Sequence, residues 1–558
     1  MDKNTIKKIA SIGILVIIII IGGISLTKNL GKSQKVVNKE EATKKIERYA
    51  KDINAVTAKE VKSAVDYTSD NVKELPDIKK NEVTVKPNTE LYVEIFASPE
   101  KSGTQKDGWL NEVAENFNKA GNKVNGKPVS VKIRNVSSGL GTDYISSGTY
   151  VPDAFTPSAD CWIKMLESSG VHIEKYSNSL VTNYAGILLT DKKEKELLKT
   201  CKTIDAKAII EATSSGEFVM GYTNPYTSTT GLNFLTTALQ TYDEDNLLSE
   251  KAVKGFQKFQ KNVPFVSYTT TQMRDAAEKG TFDGFVLEYQ LYVNDASLSR
   301  KYNFHPFGSI HNNPLYAVKE LSAEKKEILR LFAEYATNEK NQQLAKEYGY
   351  NADINYNPKE SVLDGNVLLS AQELWKEEKD SQPILAVFIT DISGSMGGEP
   401  LNALKTSLIN SMPYISQENY IGLVSYNDEV TINLPIGKFD MKQQSKFKGA
   451  VESLSEGGGT ATNDAVIVAT DMLLKAKEKY PDAKMMLFVL SDGETNCGYS
   501  LEAIKDSVKA LSIPIYTIGY NADIPALQEM SNINEAASIN ADSDDVVYQL
   551  KNLFNSNL

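Results

Sequence analysis

The stretch from Pro383 to Met396, PILAVFITDISGSM, constrains this chain more than any other. Ile384 to Thr390 is a continuous apolar run rich in β-branched residues, too short for an independent helix and followed at once by a turn. That combination predicts a fully buried parallel strand, which in turn needs neighbouring strands and covering helices. At the strand's C-terminal end, Asp391, Ser393 and Ser395 place one carboxylate and two hydroxyls on a loop tightened by Gly394, Gly397 and Gly398. Hard oxygen donors of mixed charge suit a small hard cation such as Mg²⁺. Taken alone, the same residues also suit a plain turn capping a helix that begins near Leu401.

Two later segments add to the pattern. Gly457-Gly458-Gly459-Thr460 brings a hydroxyl on a glycine-rich loop ahead of the helical pattern Asp464 to Lys477. Asp492 follows a second buried run, Met485 to Leu490, within Ser491-Asp492-Gly493. With these segments, residues 383–558 resemble a von Willebrand factor type A domain, whose metal-ion-dependent adhesion site is D-x-S-x-S, a Thr after a short glycine run, and an Asp in an S-D-G turn. The resemblance implies that Ser393, Ser395 and Thr460 approach a metal directly or through water. It implies that Asp391 and Asp492 hold the metal partly through water, and that one coordination position stays open for an acidic side chain of a partner. Mg²⁺ is the expected ion, with Mn²⁺ and Ca²⁺ as alternatives.

The 558 residues predict about three or four structural units. A formal charge of −11 and the lack of a basic, aromatic stripe argue against nucleic acid as a partner. Cys161, Cys201 and Cys497 are few and far apart, so neither a disulfide framework nor a Cys-rich zinc site is expected. Residues 9–26 are uncharged and almost wholly apolar, long enough as a helix to span most of a bilayer core of roughly 30 Å. Lys3, Lys7 and Lys8 precede them and no A-x-A site follows, which predicts an uncleaved transmembrane anchor with residues 1–8 cytoplasmic and the bulk of the chain outside the cell membrane. The Lys-, Asn- and Ile-rich wording suits a bacterial surface protein. Residues 29–88, charged and partly helical, read as a stalk or spacer.

From Leu91 the chain alternates strand and helix: Leu91 to Ala97, Trp109 to Asn118 with Leu110, Val113, Ala114 and Phe117 on one face, then Val129 to Ile133. Loops rich in Ser, Thr and Gly follow the strands, carrying Ser98, Ser137, Ser138 and Ser158, and most densely Asn224, Thr227, Ser228 and Thr230 before a helical pattern from Leu232. Hydroxyls and N–H groups at helix N-termini suit an anion or a polyhydroxyl solute, and they also cap helices. Residues 91–351 resemble a two-lobed, type 2 extracellular solute-binding protein. The residues that carry the likeness are the N-P-x-T-S-x-T-G-L segment at 224–232, the S-S-G-x-G loop at 137–141, the Val151-Pro152-Asp153-Ala154 turn, the Gly280 to Gly284 strand start and the closing helix Asn341 to Tyr350. The resemblance implies lobes near 90–190 plus 285–351 and near 191–284, closing on a small solute.

Residues 352–382 read as a connector, and 383–558 again alternate strand and helix, which completes an α/β chain with a doubly wound, mostly parallel, Rossmann-like C-terminal domain. H-E-x-x-H, G-x-S-x-G and P-loop patterns are absent, and His172, His305 and His311 form no ligand pattern, so no enzyme is expected. The expected function is a membrane-anchored binding protein that engages an acidic protein or surface polymer through its metal site. The alternative is a solute receptor working through residues 91–351.

Overall fold

The computed structural model describes residues 38–65, 75–218, 220–263, 265–267, 283–358, 363–379, 383–493 and 495–520, together with 527, 530, 531, 538–540 and 550. The apolar segment 9–26 falls outside them, as does, apart from Leu550, the stretch Asp545 to Phe554, which the sequence pattern predicts as a closing helix. No helix among the described residues is long and apolar enough to cross a membrane.

Helix α1 (Lys39–Ile53) is capped by Asn38, whose side chain accepts from Glu41 N, and it ends on Asn54 in the left-handed region. Strand β1 (Val56–Thr57) follows. Lobe 1 is built on a sheet of order β2-β4-β3-β5-β12-β6, comprising β2 (Val83–Val85), β3 (Leu91–Ala97), β4 (Lys127–Asn135), β5 (Ala154–Thr156), β6 (Glu174–Ser177) and, after the chain returns, β12 (Leu315–Ala317). Its helices include α2 (Trp109–Lys119), α3 (Ser138–Ser147) and α4 (Asp160–Ser168). In α2 the expected face, Leu110, Val113, Ala114 and Phe117, is buried.

Lobe 2 holds β7 (Asn183–Thr190), β8 (Met220–Thr223), α5 (Thr229–Tyr242), β9 (Phe265–Ser267), β10 (Gly284–Glu288) and β11 (Tyr302–His311), with sheet order β9-β8-β10-β7-β11. The lobe boundaries therefore differ from those the sequence suggests. Strand β7 and the whole of 284–311 lie in the second lobe, because β7 pairs antiparallel with both β10 and β11. Residues 75–88 also differ from a spacer. Tyr144 donates to Pro76 O at 2.5 Å, Arg134 to Asn81 O at 2.8 Å, and β2 pairs with β4, all within lobe 1. Helix α6 (Ala323–Ala336) covers lobe 1, and α7 (Gly365–Lys379), in the partly helical segment expected as a connector, packs on both α4 and α5.

The C-terminal sheet comprises β13 (Ile384–Asp391), β14 (Tyr420–Tyr426), β15 (Val430–Lys438), β16 (Lys484–Ser491), β17 (Ile515–Gly519) and β18 (Ser538–Asn540). Helices α8 (Glu399–Ser411), α9 (Met441–Glu452), α10 (Thr462–Lys479) and α11 (Leu501–Leu511) accompany it. All eight residues of β13 are buried, as a central parallel strand requires. The order is β1-β15-β14-β13-β16-β17-β18, parallel throughout except where β14 meets β15.

That order corrects two expectations. Strand β15, whose residues Val430 to Leu434 the sequence suggests as an edge strand, is not an edge, because β1 pairs parallel beyond it through Val56↔Thr431 and Thr57↔Ile432. Residues 38–65 are no stalk either: Ala42 and Ile46 of α1 are fully buried against α10 and α11. Tyr49 stacks on Tyr499 at 4.3 Å, Ser63 N donates to Ser445 O at 3.0 Å, and Lys446 pairs with Glu60 at 2.6 Å. The C-terminal domain is thus discontinuous in sequence, with the two-lobed domain inserted between its first elements and the rest.

Candidate functional sites

Strands β13 and β16 run parallel in register from Ile384↔Lys484 to Thr390↔Leu490, so the loops after them leave the sheet side by side. This brings Asp391 beside Ser491 and Asp492. Asp391 is fully buried and serves as an acceptor hub. Its Oδ1 accepts from Ser393 N at 2.8 Å, and its Oδ2 accepts from Ser491 Oγ at 2.6 Å and from the Tyr426 hydroxyl at 3.2 Å. Thr462 Oγ1 donates in turn to the Tyr426 oxygen at 3.2 Å. Burial and the adjacent Asp391 carboxylate push the Tyr426 hydroxyl well above its ordinary value, so it stays a donor.

Ser393 Oγ and Ser395 Oγ lie 3.1 Å apart, and Ser395 Oγ donates to Asp492 Oδ1 at 3.0 Å. The glycine loop is clamped onto this turn from above: Gly394 N donates to Gly458 O at 3.0 Å and Gly457 N to Ile392 O at 2.8 Å. Gly458 has a φ of +83°, and a Cβ there would stand 2.4 Å from Asp428 Oδ2, so the approach requires glycine. Asn496 fixes Thr460, accepting from Thr460 N at 2.8 Å while its own backbone N donates to Thr460 O at 3.0 Å.

Burial and, less strongly, the charge of Asp391 raise the Asp492 carboxyl above its usual range, while the Ser395 hydrogen bond pulls it back. The described residues contain no group of three or more His, Cys, Asp and Glu side chains placed to hold a metal. This cluster has two carboxylates, and its other donors are hydroxyls. An all-oxygen donor set of that charge, with Ser395 exposed, fits a hard divalent cation. Tyr426, Ser491, Thr462 and Asn496 were not singled out from the sequence. The readable signals were slight: a Tyr closing a buried strand, and the Ser of the S-D-G turn.

The second set of candidate residues lies where the two lobes meet. Ser137 and Ser228 cap helices, accepting from Leu140 N at 3.4 Å and Gly231 N at 3.3 Å. Asn224 and Thr227 shape their own loop, Asn224 Oδ1 accepting from Tyr226 N at 2.8 Å and Thr227 Oγ1 donating to Asn224 O at 3.4 Å. Ser138 Oγ accepts from Ser158 N at 3.2 Å, and Ser158 Oγ donates to Ser98 Oγ at 2.9 Å. Thr230 Oγ1 donates to Glu288 Oε1 at 3.1 Å.

Charged groups that the sequence did not single out accompany these hydroxyls. Lys101 is fully buried, and Glu288 and His311 face each other at 3.0 Å. Burial and the nearby Glu288 raise Glu100, and burial lowers Lys101 against the opposing pull of the two glutamates. The lobes touch directly. Gly139 N donates to Thr227 O at 3.3 Å, Trp162 Nε1 to Thr229 Oγ1 at 2.8 Å, and a Cβ at Gly139 would stand 1.8 Å from Tyr226 O.

Comparison with known families agrees with this architecture. Residues 102–351 match the family described as bacterial extracellular solute-binding protein, and residues 386–555 match the von Willebrand factor type A domain. The chain therefore carries a solute-binding domain followed by a von Willebrand factor type A domain. More particularly, it is 29% identical over 177 residues to inter-alpha-trypsin inhibitor heavy chain H3 of Bos taurus, a match covering 29% of this chain and 20% of that protein. The chain spans about a fifth of the length of such curated relatives. Among solved structures it is similar to a von Willebrand factor type A protein from Catenulispora acidiphila, at 18% identity and a TM-score of 0.28, covering 31% of this chain and 42% of that one. It is also similar to the sulfate-binding protein SubI from Mycobacterium tuberculosis, at 13% identity and a TM-score of 0.36, covering 51% and 91%.

Proposed function

We propose that this chain is a membrane-anchored, extracytoplasmic and non-enzymatic binding protein, and that its C-terminal domain captures an acidic protein or surface polymer through a divalent cation, Mg²⁺ first. The observation that carries the reading is the convergence of the Asp391 and Asp492 loops, with Ser393 and Ser395 bridging toward Asp492 and the Thr460 loop clamped above them. Ser393, Ser395 and Thr460 would hold the ion, with Asp391 and Asp492 behind them. The bound ion supplies an electrophilic point for a partner carboxylate. Mostly neutral hydroxyls leave its charge little compensated, and the exposure of Ser395 leaves that side open to a partner. The apolar segment 9–26 would supply the anchor.

Binding of the whole chain to immobilised polyglutamate tests the reading. Retention in Mg²⁺, release by a chelator and loss in Ser395→Ala are expected. Retention that ignores the chelator would exclude the mechanism.

A second reading, solute capture by residues 91–351, is favoured by the match of residues 102–351 to the solute-binding family. A melting-temperature rise with one oxyanion, sugar or amino acid at micromolar concentration would support it. A flat response across such a panel would remove it.

A further inference from the structure

The point where the loops of the two lobes converge is occupied by a side chain of this chain. Lys101 reaches in from the turn of helix Pro99–Ser102, and its Nζ donates to Ser98 Oγ at 2.7 Å, Asn313 Oδ1 at 3.0 Å and Pro157 O at 3.3 Å. Three acceptors around one nitrogen match the three N–H bonds of an ammonium, whereas a neutral amine offers two. The carboxylates of Glu100 in lobe 1 and Glu288 in lobe 2 lie within electrostatic reach of it. The surroundings are therefore acceptors and negative charge, a cradle that repels an oxyanion and welcomes a cation.

We propose that the cleft between the lobes is a primary-ammonium site filled in cis by Lys101, with α7 latching the lobes closed over it. The latch rests on a separate set of contacts. Leu368 of α7 joins the apolar cluster of lobe 1, while Ala371 and Trp375, further along the same helix, join that of lobe 2. Trp375 Nε1 donates to the Tyr222 hydroxyl at 2.6 Å and Gln372 Nε2 to Pro225 O at 2.8 Å, both in lobe 2. At the other end a Cβ on Gly365 would stand 2.1 Å from Lys164 O of lobe 1. A helix anchored in each lobe fixes the angle between them, which solute exchange would have to change. The domain then works as a rigid platform whose internal ligand is its own lysine. This inference is independent of the metal-site reading and competes with solute capture.

Thermal unfolding of the whole chain tests it. Lys101→Ala leaves the Glu100 and Glu288 charges uncompensated and should lower the melting temperature of the two-lobed domain by roughly 5–15 °C. Ethylammonium at tens of millimolar should restore much of that loss by refilling the cradle, and tetramethylammonium, which has no N–H, should not. A variant that melts with the wild type, or one that ethylammonium leaves unmoved, overturns the proposal. If the variant gives no folded protein, amine acetylation of the wild type read by mass spectrometry decides. Lys101 should react at least about 100-fold more slowly than the exposed Lys44 and Lys254. Comparable rates overturn the proposal, as does a wild-type melting temperature raised by an oxyanion or sugar at micromolar concentration.

Discussion

Asp391 and Ser395 both belong to the proposed cation site, yet their replacement should have very different costs for the fold. Asp391 is buried and accepts from Ser393 N, Ser491 Oγ and the Tyr426 hydroxyl, so Asp391→Ala strands three donors. At about 1–3 kcal/mol per buried unsatisfied group, and with Ser491 able to turn toward Gly493 O so that two donors stay stranded, the expected loss is about 2–6 kcal/mol. For a domain of this size that is roughly 5–20 °C in melting temperature. Ser395 is exposed, and its two partners, the Ser393 hydroxyl and the Asp492 carboxylate, keep other partners or water without it, so Ser395→Ala should cost about 0.5–1 kcal/mol. The Mg²⁺ response separates the two effects. A cation at 100 times its Kd stabilises by about 2.7 kcal/mol, and a 10- to 100-fold weaker site at the same concentration retains only about 0.4–1.4 kcal/mol. Melting curves of wild type and Ser395→Ala with and without Mg²⁺ should therefore nearly coincide without the ion and diverge with it. A Ser395→Ala protein that keeps the whole Mg²⁺-dependent rise would refute the reasoning. Asp391→Ala is the poorer probe, because its unfolding would mimic loss of the site.

Three further outcomes are expected. Ile46→Ala, in the fully buried stripe of α1, should destabilise the C-terminal domain by about 2–4 kcal/mol in urea titrations while leaving the two-lobed domain's transition in place; no change would mean that α1 is not part of that domain. Asn496→Ala, which frees the Thr460 loop, should weaken Mg²⁺ binding about 10-fold by calorimetry with little change in the ion-free melting temperature, and an unchanged Kd would remove Asn496 as a positioning residue. In lobe 1, burial alone would raise Glu94 and Asp153, but Tyr150, Lys132 and Arg134 outweigh it for Glu94, as Lys325 and Lys319 do for Asp153, so both sit below their usual values. Folded pKa values below the unfolded ones mean stability that is present above about pH 4–5 and lost as the pH falls through the folded values. Glu94→Gln should flatten that acid decline, and an unchanged slope would exclude Glu94 as its source.

Much of the candidate cation cluster was legible because its residues sit in three short segments, each fixed by a strand end or a glycine turn. Once β13 and β16 are recognised as buried parallel strands, their loops must emerge together. The hub around Asp391 was less legible, since Tyr426 reaches it only through the pairing of Asp391 with Tyr426 across β13 and β14. Helix α1 was legible as a helix over Glu40 to Lys51, but its docking on the C-terminal domain escaped for a different reason. KEEATKKIERYAKDI buries only Ala42 and Ile46 completely, a stripe so narrow that the charges around it read as a solvated spacer. Strand β1 has two residues, too few for any periodicity. The lobe boundary was misplaced because the apolar run of β7 fits either sheet, and antiparallel pairing with β11 is a long-range choice. Lys101 lies in the Ser98 to Ser102 loop that the sequence marks for its hydroxyls, but its own role was not legible, since nothing local announces the acceptors of Pro157 and Asn313 that enclose it.

The discontinuity of the C-terminal domain sets how the molecule would bear tension. Pulled between its N-terminal side and a partner held at the proposed cation site, the chain would transmit load through α1 and β1 directly into the sheet that carries β13. The two-lobed insert is a side branch of that path and need not stretch. Strand β1 lies parallel to β15 and would be loaded along its length, in shear, with its hydrogen bonds sharing the force instead of opening one by one. Fragments that begin at Leu91 lack this segment, and with it both a covering helix and an edge strand of the domain they would be used to study.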